Sequence, residues 1–128
     1  MNYLDMYKMI LEIIAEKNPQ DFQALLDDAQ KYPLVKEYIA SDNNNQILIR
    51  DMQDTLTSMI NDGLISGTIS PLKFVTLIKI NGLTILGFQY LKKLKEQTTE
   101  EQIKRILQKD GQTLTPQALT SALSQLIF

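Results

Sequence analysis

Leu64-Ile65-Ser66-Gly67-Thr68-Ile69-Ser70-Pro71-Leu72-Lys73-Phe74-Val75-Thr76-Leu77-Ile78-Lys79 is the stretch on which the fold turns. It is dense in β-branched and aromatic side chains, the kinds that suit a pleated, half-buried surface. Pro71 has no N–H to give to a ladder, so it marks the connection and not a strand. The reading is a hairpin, with strands at about residues 65–69 and 73–80 joined at Ser70-Pro71-Leu72. Asn81-Gly82 then predicts a turn.

On either side the apolar period changes from two to about 3.6, and the chain reads as helix. Residues 46–62 form the longest helix next to the hairpin, with Leu48, Met52, Leu56, Met59 and Ile60 as its core stripe and Gly63 as a left-handed stop. Ser41-Asp42-Asn43-Asn44-Asn45 predicts a turn before it, because these side chains compete for backbone hydrogen bonds. A short helix at 34–40 presents Leu34, Val35, Tyr38 and Ile39. Asn18 is expected to cap the helix before that, with Pro19 in the first helical position, Asp21 in the first turn, and Phe22, Leu25, Leu26 and Ala29 inward. Residues 3–17 read as an amphipathic helix whose stripe is Tyr3, Tyr7, Ile10 and Ile14, widened by Leu4 and Leu11.

Downstream, Thr84 is placed to cap a helix over 84–96. Thr98 and Thr99 each precede Glu101 or Gln102 by three residues, the spacing of a capping box. Thr115-Pro116 starts a last helix with Leu119, Ala122, Leu123, Leu126 and Ile127 as its stripe. The fold class is therefore mainly α with a small β-hairpin, divided into residues 1–97 and a two-helix C-terminal extension at 98–128.

Composition bounds the chemistry. The 128 residues include neither cysteine nor histidine. Thiolate nucleophiles, imidazole bases and Cys/His zinc sites are thereby excluded together. The carboxylates at Asp27/Asp28 and Asp51/Asp54 read as solvated helix edges, and the glycines are not spaced as a phosphate loop. No enzyme and no cofactor is expected. With no apolar run of spanning length and no basic-then-apolar start, the expected location is the cytoplasm, away from membranes.

The net charge of −2 conceals an asymmetry: residues 1–62 hold 5 Lys/Arg against 11 Asp/Glu, and residues 63–128 hold 8 against 4. A surface for nucleic acid falls mainly in the second half. The alternative is that the halves attract each other within one domain.

Residues 54–94 carry a family likeness. Leu56-Thr57-Ser58-Met59-Ile60-Asn61-Asp62-Gly63-Leu64-Ile65, then the hairpin, then Leu83-Thr84-Ile85-Leu86-Gly87-Phe88-Gln89-Tyr90-Leu91 resembles small winged-helix proteins of bacteria and their prophages, notably the YjcQ-like type. The resemblance implies a winged helix-turn-helix core with additional N- and C-terminal helices. It also implies a regulatory role on double-stranded DNA, with residues 46–62 as the recognition helix.

On that helix the outward face reads Ile47, Arg50, Asp51, Asp54, Thr57, Ser58 and Asn61, one cation against two anions, with Arg50 and Asp54 spaced to pair. Carboxylates repel phosphates, so this face is poor for DNA. Candidate DNA contacts are Arg50 and Thr57 there, Lys73 and Lys79 on the wing, and Lys92, Lys93 and Lys95 on the following helix. Lys104, Arg105 and Lys109 extend that cluster, which reads alternatively as the solvated faces of two helices. The competing function is a protein-interaction adaptor, including a homodimer through the C-terminal helix and its terminal Phe128.

Overall fold

Every stretch read as helix is one in the computed structural model, which describes residues 3–41 and 44–128. The elements are α1 (Tyr3–Lys17), α2 (Phe22–Ala29), α3 (Pro33–Ala40), α4 (Asn45–Asn61), β1 (Ile65–Pro71), β2 (Thr76–Leu83), α5 (Ile85–Leu94), α6 (Thr99–Asp110) and α7 (Pro116–Ile127). The protein is mainly helical, with one antiparallel hairpin. No helix among the described residues is long and apolar enough to cross a membrane. Asp42 and Asn43 of the expected turn lie outside the described residues; Ser41 closes α3, and the Asn44 side chain caps α4 by accepting from the Gln46 N–H at 2.9 Å.

The second helix starts later than its Asn-Pro signal suggests. Asn18 has a φ of +51°, and the cap is Asp21, whose carboxylate accepts from the Ala24 N–H at 2.8 Å. The cause is tertiary. The Ile80 N–H donates to the Gln20 carbonyl at 2.8 Å, and Asp21 bridges Lys79 in antiparallel fashion. Held extended against the outer side of β2, residues 20 and 21 cannot enter the helix.

The hairpin is longer than expected and its turn lies further on. Pairing runs out to Pro71 opposite Thr76, and the turn is residues 72–75, closed by the Leu72 N–H on the Val75 carbonyl at 2.8 Å. Pro71 is tolerated at this terminal pair, where a missing donor interrupts no inner rung. Asn81-Gly82 is not a turn but part of β2. The register jumps between Ser66 and Gly67, so that Ser66 faces Gly82, Gly67 faces Ile80, and Asn81 is the extra residue of a bulge. Gly82 takes a φ of +147° there, and the Asn81 amide donates to the Ser66 hydroxyl at 3.2 Å.

No capping box forms at α6. Thr98 is the cap by position but its side chain makes no cap bond. Thr99 is buried, and its hydroxyl donates to the Lys93 carbonyl at 2.6 Å, tying α6 to the last turn of α5. The expected caps at Thr84 and Thr115 are present, accepting from Gly87 and Ala118 at 3.0 and 3.1 Å.

The core is organised around α1. Beyond its expected stripe it buries Met6, Met9 and Ile13, so it is a central helix and not a one-faced one. α2, α4, α5, α7 and β2 all pack on it. Of the expected core residues, Ile60 is half-buried, while Leu34 and Ile39 on α3 are exposed. The C-terminal helices join this same core: Leu119 and Leu123 are fully buried, and the hydroxyls of Tyr7 and Thr120 share a hydrogen bond of 2.8 Å.

Burial pushes the Tyr7 phenol well above its ordinary value. The folded state therefore favours the neutral phenol. This contribution is intact below the unfolded phenol value of about 10 and is lost as pH rises from there towards the folded value. Tyr7→Phe should cost about 1 kcal/mol at neutral pH through the lost bond to Thr120. It should also flatten the fall in stability above about pH 10. Urea unfolding at pH 7 and pH 11 measures both effects. An equal alkaline fall in the variant would exclude Tyr7 as its source.

Candidate nucleic-acid interface

α4 sets the position of the hairpin. The Leu64 N–H returns to the Met59 carbonyl at 2.9 Å, so the chain leaves the helix in a tight reversal at Gly63, whose φ is +80°. Thr84, at the far end of β2, donates its hydroxyl to the Gly63 carbonyl at 2.6 Å, and its N–H bonds the Leu64 carbonyl at 3.0 Å. The start of α5 is thus fastened to the end of α4, closing the base of the hairpin. Gly87 lies so close to this junction that a Cβ on it would overlap the Leu64 carbonyl oxygen.

The outward face of α4 is narrower than expected. Arg50, Asp54 and Asn61 are exposed, Asp51 and Thr57 are half-buried, and Ser58 is buried instead of facing solvent. At 100° per residue, Gln46, Arg50, Gln53, Thr57 and Asn61 share one stripe. Arg50 and Asp54 form no ion pair; the ion pairs among the described residues are Lys8–Glu12, Lys93–Glu96 and Lys104–Glu100. Sequence reasoning missed one neighbour of this face. The start of α7, through Thr115, Pro116 and Gln117, walls an open cleft of about 410 Å³ with Tyr3, Asp54, Thr57 and Asn61. Within it the Tyr3 hydroxyl donates to Asp51 at 3.5 Å, and burial followed by the Asp51 charge raises the Tyr3 phenol. Packing between helices distant in sequence left no local signal for this.

The lysines fall into separate groups. Lys73 is exposed at the hairpin turn, its ammonium 5.3 Å from the centroid of the Phe74 ring. Lys79 is exposed on the outer face of β2 and paired opposite Thr68. On that face β1 presents Ser66, Thr68 and Ser70, three exposed hydroxyls in alternation. Lys92 on α5 and Lys95 at its C-cap are exposed three residues apart and form no ion pair among the described residues. Lys93 is turned away from them, half-buried, and paired with Glu96 at 2.9 Å. Lys104 pairs with Glu100 at 3.3 Å, while Arg105 and Lys109 are exposed.

In sequence these five lysines are bounded by Asp62 and Glu96, and from residue 63 to residue 95 the chain has no acidic residue; in space Asp21 lies beside Lys79. Large exposed apolar side chains are concentrated in the same segment. Leu72, Phe74, Val75 and Leu77 lie at and beside the turn, and Ile85 and Phe88 on α5. The two groups are separate, because the strand between them is about 25 Å long at the usual rise. Compared with known proteins, the chain matches no family model, no curated protein and no solved structure.

Proposed function

We propose that this chain is a non-enzymatic winged-helix protein that binds double-stranded DNA, acting in the cytoplasm as a transcription-regulator-like accessory factor of the bacterial or prophage kind. The observation that carries the reading is the acid-free segment 63–95 that builds the hairpin and α5, with Lys73, Lys79, Lys92 and Lys95 exposed and in no ion pair among the described residues. Carboxylates border it at Asp21, which bridges Lys79, and at Glu96. Phosphate contacts dominate DNA affinity, and a nearby carboxylate would repel the backbone they bind. The pairing of residues 20 and 21 with β2 supports the same reading. It gives the hairpin a third extended segment from between the first two helices, as in a winged helix. α4 then stands in the recognition position, where the amides of Gln46, Gln53 and Asn61 suit hydrogen bonding to base edges and sugars. The exposed Asp54 carboxylate, which lines the same cleft as Asn61, works against phosphate approach.

The test is fluorescence anisotropy with a labelled random-sequence duplex of about 25 base pairs, titrated at several salt concentrations. Four phosphate contacts predict a log–log slope of about −3 to −4. Absence of binding at low salt would remove the reading.

A second reading is favoured by one observation: Ile85 on the solvent side of α5 is 83% exposed, with Phe88 one turn on also open. This apolar half-face suits a second copy of the chain, making the protein a dimerisation module. Ile85→Glu should then convert a dimer to a monomer in light scattering. A monomeric wild type at high micromolar concentration would exclude it. The C-terminal stripe, by contrast, is committed to the chain's own core, and only its end at Phe128 stands open.

A further inference from the structure

The hairpin turn has a composition that phosphate binding does not require. Its two foremost residues are Lys73 and Phe74, held by the Leu72 N–H on the Val75 carbonyl at 2.8 Å. Phe74 is 91% exposed, the most open large hydrophobic side chain among the described residues, and Leu72 and Val75 flank it with more than half their surface in water. The ring has the Lys73 ammonium 5.3 Å from its centroid. An aromatic ring left so exposed at the leading edge of a rigid ribbon gains from being buried, and what buries it must also accept the lysine beside it.

We propose that Phe74 is a wedge that enters the minor groove of duplex DNA and partly unstacks one base step, bending the helix. This rests on the DNA-binding reading above and deepens it. The groove offers what the tip lacks. Its floor is base edges that an apolar plane can part, its walls are deoxyribose carbons suited to Leu72 and Val75, and its rims are phosphates within reach of Lys73. Burying the ring offsets the lost stacking, most favourably at flexible pyrimidine–purine steps. Leu77 and Lys79, next along the outer face of β2, continue the same alternation of apolar and basic groups towards the hairpin base.

The experiment uses the full chain and a duplex of about 25 base pairs carrying end dyes for energy transfer and 2-aminopurine at a central TA step. Wild type should raise both the transfer and the 2-aminopurine emission. Phe74→Ala should abolish both signals, weaken binding about tenfold at the TA site, and leave the salt slope unchanged. Phe74→Trp should restore them. Because the side chain is in solvent, neither change threatens the fold, and circular dichroism verifies this. Binding by wild type without either signal, or bending by Phe74→Ala equal to wild type, overturns the wedge while the DNA reading stands. No duplex binding overturns both. Retention on anionic phospholipid vesicles but not on duplex would assign the tip to a lipid interface and likewise overturn the wedge.

Discussion

Gly87→Ala is expected to lower the free energy of unfolding by about 3 kcal/mol, although alanine is the better helix former by about 1 kcal/mol. A Cβ at this position would overlap the Leu64 carbonyl oxygen and come within 3.1 Å of its carbon and 3.4 Å of the Leu83 Cβ. These are backbone atoms and a Cβ, not the ends of flexible side chains. The Leu64 carbonyl is in addition fixed by the Thr84 N–H at 3.0 Å, with the Thr84 hydroxyl, which donates to the neighbouring Gly63 carbonyl at 2.6 Å, beside it. Relief requires α5 to lift from the junction of α4 and β1, opening the contacts of Tyr90, Leu91 and Leu94 with the core. The loss should appear as a lower denaturant midpoint with an unchanged slope. A midpoint equal to or above wild type would mean that α5 does not pass this close to Leu64. It would also remove the fixed angle between hairpin and helix on which the candidate interface depends.

The combined change Lys73→Ala, Lys79→Ala, Lys92→Ala and Lys95→Ala should reduce duplex affinity by about two to three orders of magnitude at 0.1 M salt and nearly abolish its salt dependence. All four side chains are exposed and none is in an ion pair among the described residues, so folding should be unaffected. The control is Lys104→Ala with Lys109→Ala on α6, which removes positive charge elsewhere and should change the affinity by less than about threefold. An equal effect from both variants would mean that duplex responds only to net charge, with no defined surface. Within α5 the contributions should be unequal: Lys93 is paired with Glu96 and turned aside, so its removal alone should do least.

Much of this architecture was legible because its signals are local. Pro116 after Thr115, Gly63 after the α4 stripe, and the change from helical to β-branched chemistry at Leu64 each act within a turn or two of chain. The failures share one physical cause. Asn18-Pro19 is a sound helix start in isolation, but the edge of β2 claims residues 20 and 21 and passes the cap to Asp21. Asn81-Gly82 carries turn chemistry that a bulge uses instead. The Thr99 hydroxyl serves a carbonyl of α5 and not its own helix. In each case a hydrogen bond to another element overrides a local preference, from Ile80 to Gln20 in the first, from Asn81 to Ser66 in the second, and to a carbonyl only six residues back in the third. The candidate site shows the same division. The lysines were found from charge patterning, but which were free, which were paired, and that α7 borders the α4 face required the packed chain. By its sequence Phe74 reads as a strand residue, and only the register places it at the turn.

Backbone amide shifts of the full chain, followed by NMR during titration with a duplex of about 25 base pairs at low salt, show whether DNA docks on the surface of hairpin, α4 and α5. The largest changes are expected in the hairpin turn, along the outer face of β2, at Lys92 and Lys95, and on the Gln46–Arg50–Thr57–Asn61 stripe of α4, with α2, α3 and α6 unmoved. Changes centred on α3 or α6, or none at stoichiometric duplex, would contradict such docking.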